Sequence, residues 1–345
     1  MTVLRLLPAL RSGLALLVLL ASRGAVAQEA PPRPTGAVVV SANQGDQTIH
    51  VVDAETGATL ARFTGFDGPH EVAVSPDGRW AVVSDYGRQG VEGNALVVVD
   101  LETFAVARTI SLGAYRRPHD LYFLPGGERL AVTSETSRAV VLVDFASGAV
   151  VGSLDTRQAG SHMMAVTPDG ARIFTANISG GSVTELDVAS GATVRVIPAA
   201  PFIEGIALTG DGAQLWVSGI RDGVVTVLDV ASGDVVAAVP AAGFPYRVTM
   251  SPDGARAFVP GPEADVLRVF DVATREETAT LDIPGGPGRV VIGPDGRTAY
   301  FPLVDAAAVG VLDLETLTVV KTLPTGGGPD GVGVSHYYVP GTSRP

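Results

Sequence analysis

One turn recurs along this chain at near-constant spacing, and that periodicity limits the fold more than any other feature. It appears as Ser75-Pro76-Asp77-Gly78, Leu124-Pro125-Gly126-Gly127, Thr167-Pro168-Asp169-Gly170, Thr209-Gly210-Asp211-Gly212, Ser251-Pro252-Asp253-Gly254 and Gly293-Pro294-Asp295-Gly296. Pro presets φ at the first central position, Asp accepts bonds from nearby amides, and Gly takes the left-handed position. Each copy therefore predicts a tight hairpin turn. Each sits between short β-type runs, such as Val72-Ala73-Val74 and Trp80-Ala81-Val82-Val83. A second landmark is an Asp that closes a β run: Asp53, Asp100, Asp144, Asp187, Asp229, Asp271 and Asp313. A turn such as Asp187-Val188-Ala189-Ser190-Gly191 usually follows it. An aspartate repeated once per unit at a turn predicts a bond to turn amides rather than a catalytic group.

Each unit of about 42 residues then holds four short strands, one on either side of each of the two turns. Runs such as Ala95-Leu96-Val97-Val98-Val99 are apolar nearly throughout, as in strands covered on both faces. Four strands per unit at this period predict an all-β fold, a seven-bladed β-propeller. The N-terminal copy begins at its second strand, Val38-Val39-Val40-Ser41-Ala42-Asn43, and the C-terminal end supplies a lone first strand, Gly331-Val332-Gly333-Val334-Ser335. The two ends are expected to complete one blade and remove the open edge. Residues 36–335 are thus expected to form one domain, with a short segment at 28–35 and a tail at 336–345.

The stretch Gly68-Pro69-His70-Glu71-Val72-Ala73-Val74-Ser75-Pro76-Asp77-Gly78 resembles the YVTN-repeat propeller family. The resemblance covers about residues 36–335 and implies the fold, with little to say of function. The Asn that ends the family's second strand survives at Asn43 and Asn177, whereas Asp85, Ser134, Gly219, Gly261 and Leu303 stand at the other copies.

The first residues follow a different logic. Arg5 and Arg11 precede a short apolar core, Gly13 to Ala21, and Ala25-Val26-Ala27 offers a small-x-small cleavage pattern. Residues 1–27 are expected to be a secretory signal peptide, cleaved near Ala27/Gln28 and leaving a periplasmic or secreted protein. The apolar core is short beside the ~20 residues of a spanning helix, so no membrane span is expected in the mature form. Loss of Arg5, Arg11 and Arg23 would take the net charge from −12 to −15. Such acidity is a poor match for nucleic acid. The chain has no cysteine, which excludes disulfides and thiolate chemistry, and Lys321 is its one lysine.

Where the repeats depart from one another, function is expected. The position that ends each inter-blade link is, in chain order, His70, His119, His162, Glu204, Tyr246, Gly288 and Asp330. The later spacings are all 42, but 49 residues separate His70 from His119 and 43 separate His119 from His162. Five of the extra residues fall between Asp85 and Asn94, and the rest lie in the links. All insertions belong to the face opposite the Pro-Asp-Gly turns. Equivalent positions in a ring converge on its axis, so His70, His119 and His162 form a candidate metal site for Zn, Cu or Fe. Glu71, Asp120 or Glu204 could orient ligands or act as base, and Arg247 and Arg289 could clamp an anion or pair with acids. Tyr86, Tyr246 and Asp330 complete the ligand-binding candidates. Tyr86, Arg88 and Glu92 ride the insertion, and Tyr115, Arg116 and Arg117 ride the next link. The alternative for the histidines is hydrogen bonding without metal. His50, Trp80 and Trp216 are expected to be structural, and His336 to have no role.

Two functions follow from this pattern. The first is a binding or accessory protein that takes a small-molecule ligand, a metal or a periplasmic partner protein at the channel mouth. The second is a metal-dependent enzyme, a lyase, lactone hydrolase or oxidoreductase, that uses the histidine cluster. A purely structural surface protein is a weaker third, since the sequence shows no stalk or second domain.

Overall fold

Short strands that are apolar on both faces need cover on both sides, and a ring of stacked sheets supplies it. The computed structural model of the protein describes residues 36–336. In it, seven four-stranded antiparallel sheets form a propeller. We number the blades one to seven and give the strands of each from the channel outward. Blade one is Pro329–His336, Ala37–Asn43, Thr48–Asp53 and Thr59–Thr64. Its first strand comes from the C-terminal end and pairs with the N-terminal strand in register Val38↔Ser335 through Ala42↔Gly331. This is the closure that the sequence predicts.

Blade two begins with Pro69–Val74, blade three with Pro118–Phe123, blade four with Ser161–Val166 and blade five with Ile203–Leu208. In blades six and seven the ladder of the first strand shrinks to Thr249–Met250 and Val291–Ile292. Second and third strands are buried almost throughout, while outer strands such as Ala105–Ser111 are exposed. Alternate side chains of one strand pack against different neighbours. Val38 and Val40 join Val83 and Val97 of blade two, whereas Val39 packs with Val309 and Val311 of blade seven. Trp216 is fully buried among residues of blades five and six, and Trp80 is half-buried beside Phe145. Large side chains in such positions are worth about 3–5 kcal/mol each against alanine.

The turns behave as their chemistry requires. Ser75 Oγ accepts from the Trp80 amide at 2.9 Å, and Gly78 has φ +75°. All seven strand-closing aspartates accept amides of their own turns. Examples are Asp53 from Thr56 at 2.6 Å, Asp187 from Ser190 at 2.8 Å and Asp313 from Thr316 at 2.7 Å. The insertion in blade two continues the ladder. Trp80–Arg88 and Val91–Asp100 run on past a bulge at Asp85 to Gly87, as far as the pair Arg88↔Val91.

The expected signal peptide at 1–27, the segment 28–35 and tail residues 337–345 lie outside the described residues. Among the described residues no helix is long and apolar enough to cross a membrane.

Candidate functional site

A regular strand points successive side chains to opposite faces. Here the first strands of blades two to five each carry an irregularity at the column position. The ladder skips between Pro69 and Val72, Pro118 and Leu121, Ser161 and Met164, and Ile203 and Gly205. A bulge re-aims side chains, which lets the neighbours His70 and Glu71 serve one site. Second-strand hydroxyls fix the bulges. Ser84 Oγ accepts from the Glu71 amide at 3.0 Å and donates to the His119 carbonyl at 2.8 Å. Thr133 does the same for Asp120 and His162, and Ser218 for Gly205 and Tyr246. In blades two, three and five one hydroxyl thus ties the residue after the column position to the next blade's column.

The three histidines come together as a stack. Ring centroids are 4.3 Å apart for His70 and His119, and 3.6 Å for His119 and His162. Tyr86, from the blade-two insertion, lies edge-on to His70 at 4.9 Å and to His119 at 5.4 Å. The group whose ligand atoms converge is His70, Glu71 and His119, all buried and all within 4.8 Å of one another. His70 Nε2 meets Asp330 Oδ2 at 3.2 Å. Its Nδ1 is buried without a partner. His119 Nδ1 is likewise unpartnered. His162 stands outside this group. Its Nε2 is 2.8 Å from Glu204 Oε1, and its Nδ1 is 3.7 Å from Glu135, near enough for attraction but too far for a hydrogen bond.

Beneath the stack, carboxylates and guanidiniums span the channel. Arg247 of blade six is 1% exposed. It donates to Glu204 of blade five, to Glu71 of blade two at 3.1 Å and to Tyr246 Oη at 3.3 Å. Arg289 of blade seven reaches Glu71 at 3.5 Å and Asp120 of blade three at 3.3 Å. Asp120 also accepts the Met164 amide at 3.0 Å. Tyr246 Oη donates to Asp330 at 3.1 Å, closing the network back to His70. Of the two expected clamp residues, Arg247 is consumed by acids, and Arg289 is engaged through one nitrogen.

These neighbours set the protonation states. Burial works to raise Glu71 and Glu204, but facing cations prevail. Arg247, Arg289 and His70 hold Glu71 below its ordinary value, and Arg247 and His162 bring Glu204 to about 2. Burial lifts Asp120, with Arg289 opposing. Burial, then His162, His70 and the two arginines, push His119 well down, so its imidazole is neutral at pH 7. Burial lowers His162 too, but Glu204 and Glu135 overcome it and raise the ring. Burial lowers both stacked histidines, and only His162 has the carboxylates that overcome it. Burial raises the Tyr86 and Tyr246 hydroxyls, which stay protonated.

Sequence reasoning missed Glu135. It accepts from Tyr86 Oη and, though burial works to raise it, His162 and Tyr86 hold it low. It directly follows Ser134, the substituted strand-end position of blade three, which was the available signal. Arg117 donates to Tyr86 Oη at 2.8 Å and covers the Tyr86 ring. Of the remaining residues, His50 accepts from Arg62 at 3.2 Å within blade one, and His336 ends the last strand, exposed. Beside the network a cleft of about 810 Å³ opens, lined by Phe244, Tyr246, Asp265, Asp305 and Asp330 among others.

No family model matches the chain, and no curated protein matches it. Solved structures do. Hydrazine synthase of Kuenenia stuttgartiensis aligns with a TM-score of 0.67 at 20% identity, covering 78% of this chain and 90% of that one. A functionally unknown protein from Desulfotomaculum acetoxidans DSM 771 aligns with a TM-score of 0.72 at 14% identity, covering 87% of this chain and 99% of that one. At such identity the likeness is one of fold.

Proposed function

We propose that this protein is an exported, YVTN-type propeller that acts as a binding or accessory protein, with a divalent transition metal held at the channel mouth by His70, Glu71 and His119. The observation that carries this reading is the buried group itself: His70, Glu71 and His119 offer ligand atoms within 4.8 Å of one another, and each of the two histidines has a buried Nδ1 without a partner. Metal ligands must be deprotonated, and the surroundings hold Glu71 ionised and His119 neutral. Asp330 orients His70 as carboxylates orient metal-binding histidines. Charge points the same way. Glu71, Asp120, Glu135, Glu204 and Asp330 face Arg117, Arg247 and Arg289, which leaves two carboxylates in excess. Two imidazoles and a carboxylate suit Zn²⁺, Cu²⁺ or Fe²⁺. In this reading His162 supports the site by stacking on His119 rather than by ligation. The segment 1–27 directs export, and the mature chain starts at Gln28.

The test is metal content after loading with Zn²⁺, Cu²⁺ or Fe²⁺, measured by mass spectrometry on the mature protein and on His119→Ala. One ion per chain, lost in the variant, is expected. No stoichiometric metal under any loading condition overturns the reading. N-terminal sequencing of exported protein checks the start at Gln28.

A second reading has one observation in its favour. Three protein ligands leave coordination positions open, as in catalytic metal sites. The loaded protein would then be a lyase, lactone hydrolase or oxidoreductase. Metal-dependent turnover of such substrates, lost in Glu71→Gln, would select it over the binding role.

A further inference from the structure

Within the network Arg289 is far less buried than the two acids it contacts. Glu71 and Asp120 have side chains 3% and 4% exposed, and Arg247 is as deeply buried. Arg289, which contacts both acids, is 34% exposed. Only its Nη1 is engaged, at 3.3 and 3.5 Å, both longer than a strong charge-assisted bond. Its other guanidinium nitrogens make no hydrogen bond within the protein among the described residues, and they are not sealed from solvent. A site with an excess of carboxylates thus presents a guanidinium to whatever enters, and this guanidinium borders Glu71, one of the three converging ligands.

We propose that Arg289 anchors a small monoanionic carboxylate ligand beside the His70–Glu71–His119 group. This deepens the metal-binding reading and rests on it for the second point of attachment. The planar fork of arginine matches a carboxylate better than a spherical or tetrahedral ion, because two parallel N–H groups meet two oxygens in one plane. Charge favours a monoanion, because Glu71 and Asp120 already share Nη1 of Arg289 and would repel a dianion such as phosphate about twice as strongly. The carboxylate would lie with both oxygens on Arg289, one of them shared with the open coordination position, and the metal would strengthen binding without being its only anchor.

The test is calorimetric titration of the mature chain with acetate, in Zn²⁺-loaded and metal-free forms, alongside R289Q and R289K. Acetate is expected to bind the wild type in both forms, more tightly with Zn²⁺. R289Q should weaken it by about 10-fold or more. R289K should fall between, since an ammonium keeps the charge and loses the fork. Metal content of the same samples, with the metal-free titration, separates an anion lost with Arg289 from one lost with the metal. The inference is overturned if natively folded R289Q binds acetate as the wild type does, or if inorganic phosphate binds the wild type more tightly than acetate. If the wild type takes up no metal, the metal-binding reading falls by itself. The metal-free titration then decides the anion: binding lost in R289Q upholds it, and equal or absent binding overturns it.

Discussion

Blades two to five and blades six and seven face the same channel and contribute opposite kinds of side chain. The first group keeps six-residue first strands, and a bulge in each delivers His70 and Glu71, His119 and Asp120, His162, and Glu204. In the second group the ladder is cut to two residues, and Arg247 and Arg289 cross from there to the acids opposite. The repeat carries the fold equally well in both arcs. The difference is chemical. One arc supplies donors that want a cation, and the other supplies cations that keep those donors ionised or neutral as needed.

The largest effect is expected from removing the cation that joins the arcs. Arg247→Met leaves Glu71 and Glu204 buried without their main partner. Breaking a buried pair on one side costs about 3–5 kcal/mol, to be measured by denaturant unfolding. A loss under 1 kcal/mol would mean that the two arcs are not coupled through Arg247.

Next comes pH. Glu204 is depressed to about 2 from an ordinary 4.5, so its stabilisation is present above 4.5 and is lost as pH falls toward 2. The amount at neutral pH is roughly 3 kcal/mol, and Glu204→Gln should flatten that acid limb. The stacked histidines should behave oppositely. His162 is raised, so its contribution is full below 6.5 and is lost as pH rises through the raised value. His119 is lowered, so its contribution is present above 6.5 and is lost as pH falls. In unfolding curves from pH 4 to 9, His162→Phe should therefore remove a loss of stability with rising pH above 6.5, and His119→Phe a loss with falling pH below 6.5. Slope changes of the same sign in both variants would refute the charge assignment.

A smaller change is expected at the insertion. Tyr86→Phe keeps the ring against His70 and His119 but removes the hydroxyl between Glu135 and Arg117. It should cost about 1 kcal/mol in unfolding and leave metal stoichiometry intact. The smallest effect belongs to the repeated turns. Asp187→Ala removes two bonds to Ser190 and a half-exposed ion pair with Arg172, and should lower the melting temperature slightly, with metal content unchanged. Loss of metal there would give the turn aspartates a role that their geometry denies.

The parts written once per repeat were legible from residues alone: the turns, the closing aspartates, the joined ends and the column holding the histidines. They were legible because a turn's chemistry is local and a ring's period is a count. The partner choices inside the channel were not. Periodicity placed His70, His119 and His162 in one column, but it could not show that a bulge brings Glu71 to the first two while Glu204 engages the third. Nor could it show that Arg247 reaches Glu71 across 176 positions of chain, or that Glu135, outside the column, joins through Tyr86. Sequence by itself determined which column of the repeat faces the axis, since that follows from the period. Only the tertiary structure decided which of them pair, because pairing depends on bulges, side-chain reach and the competition of charges within a few ångströms.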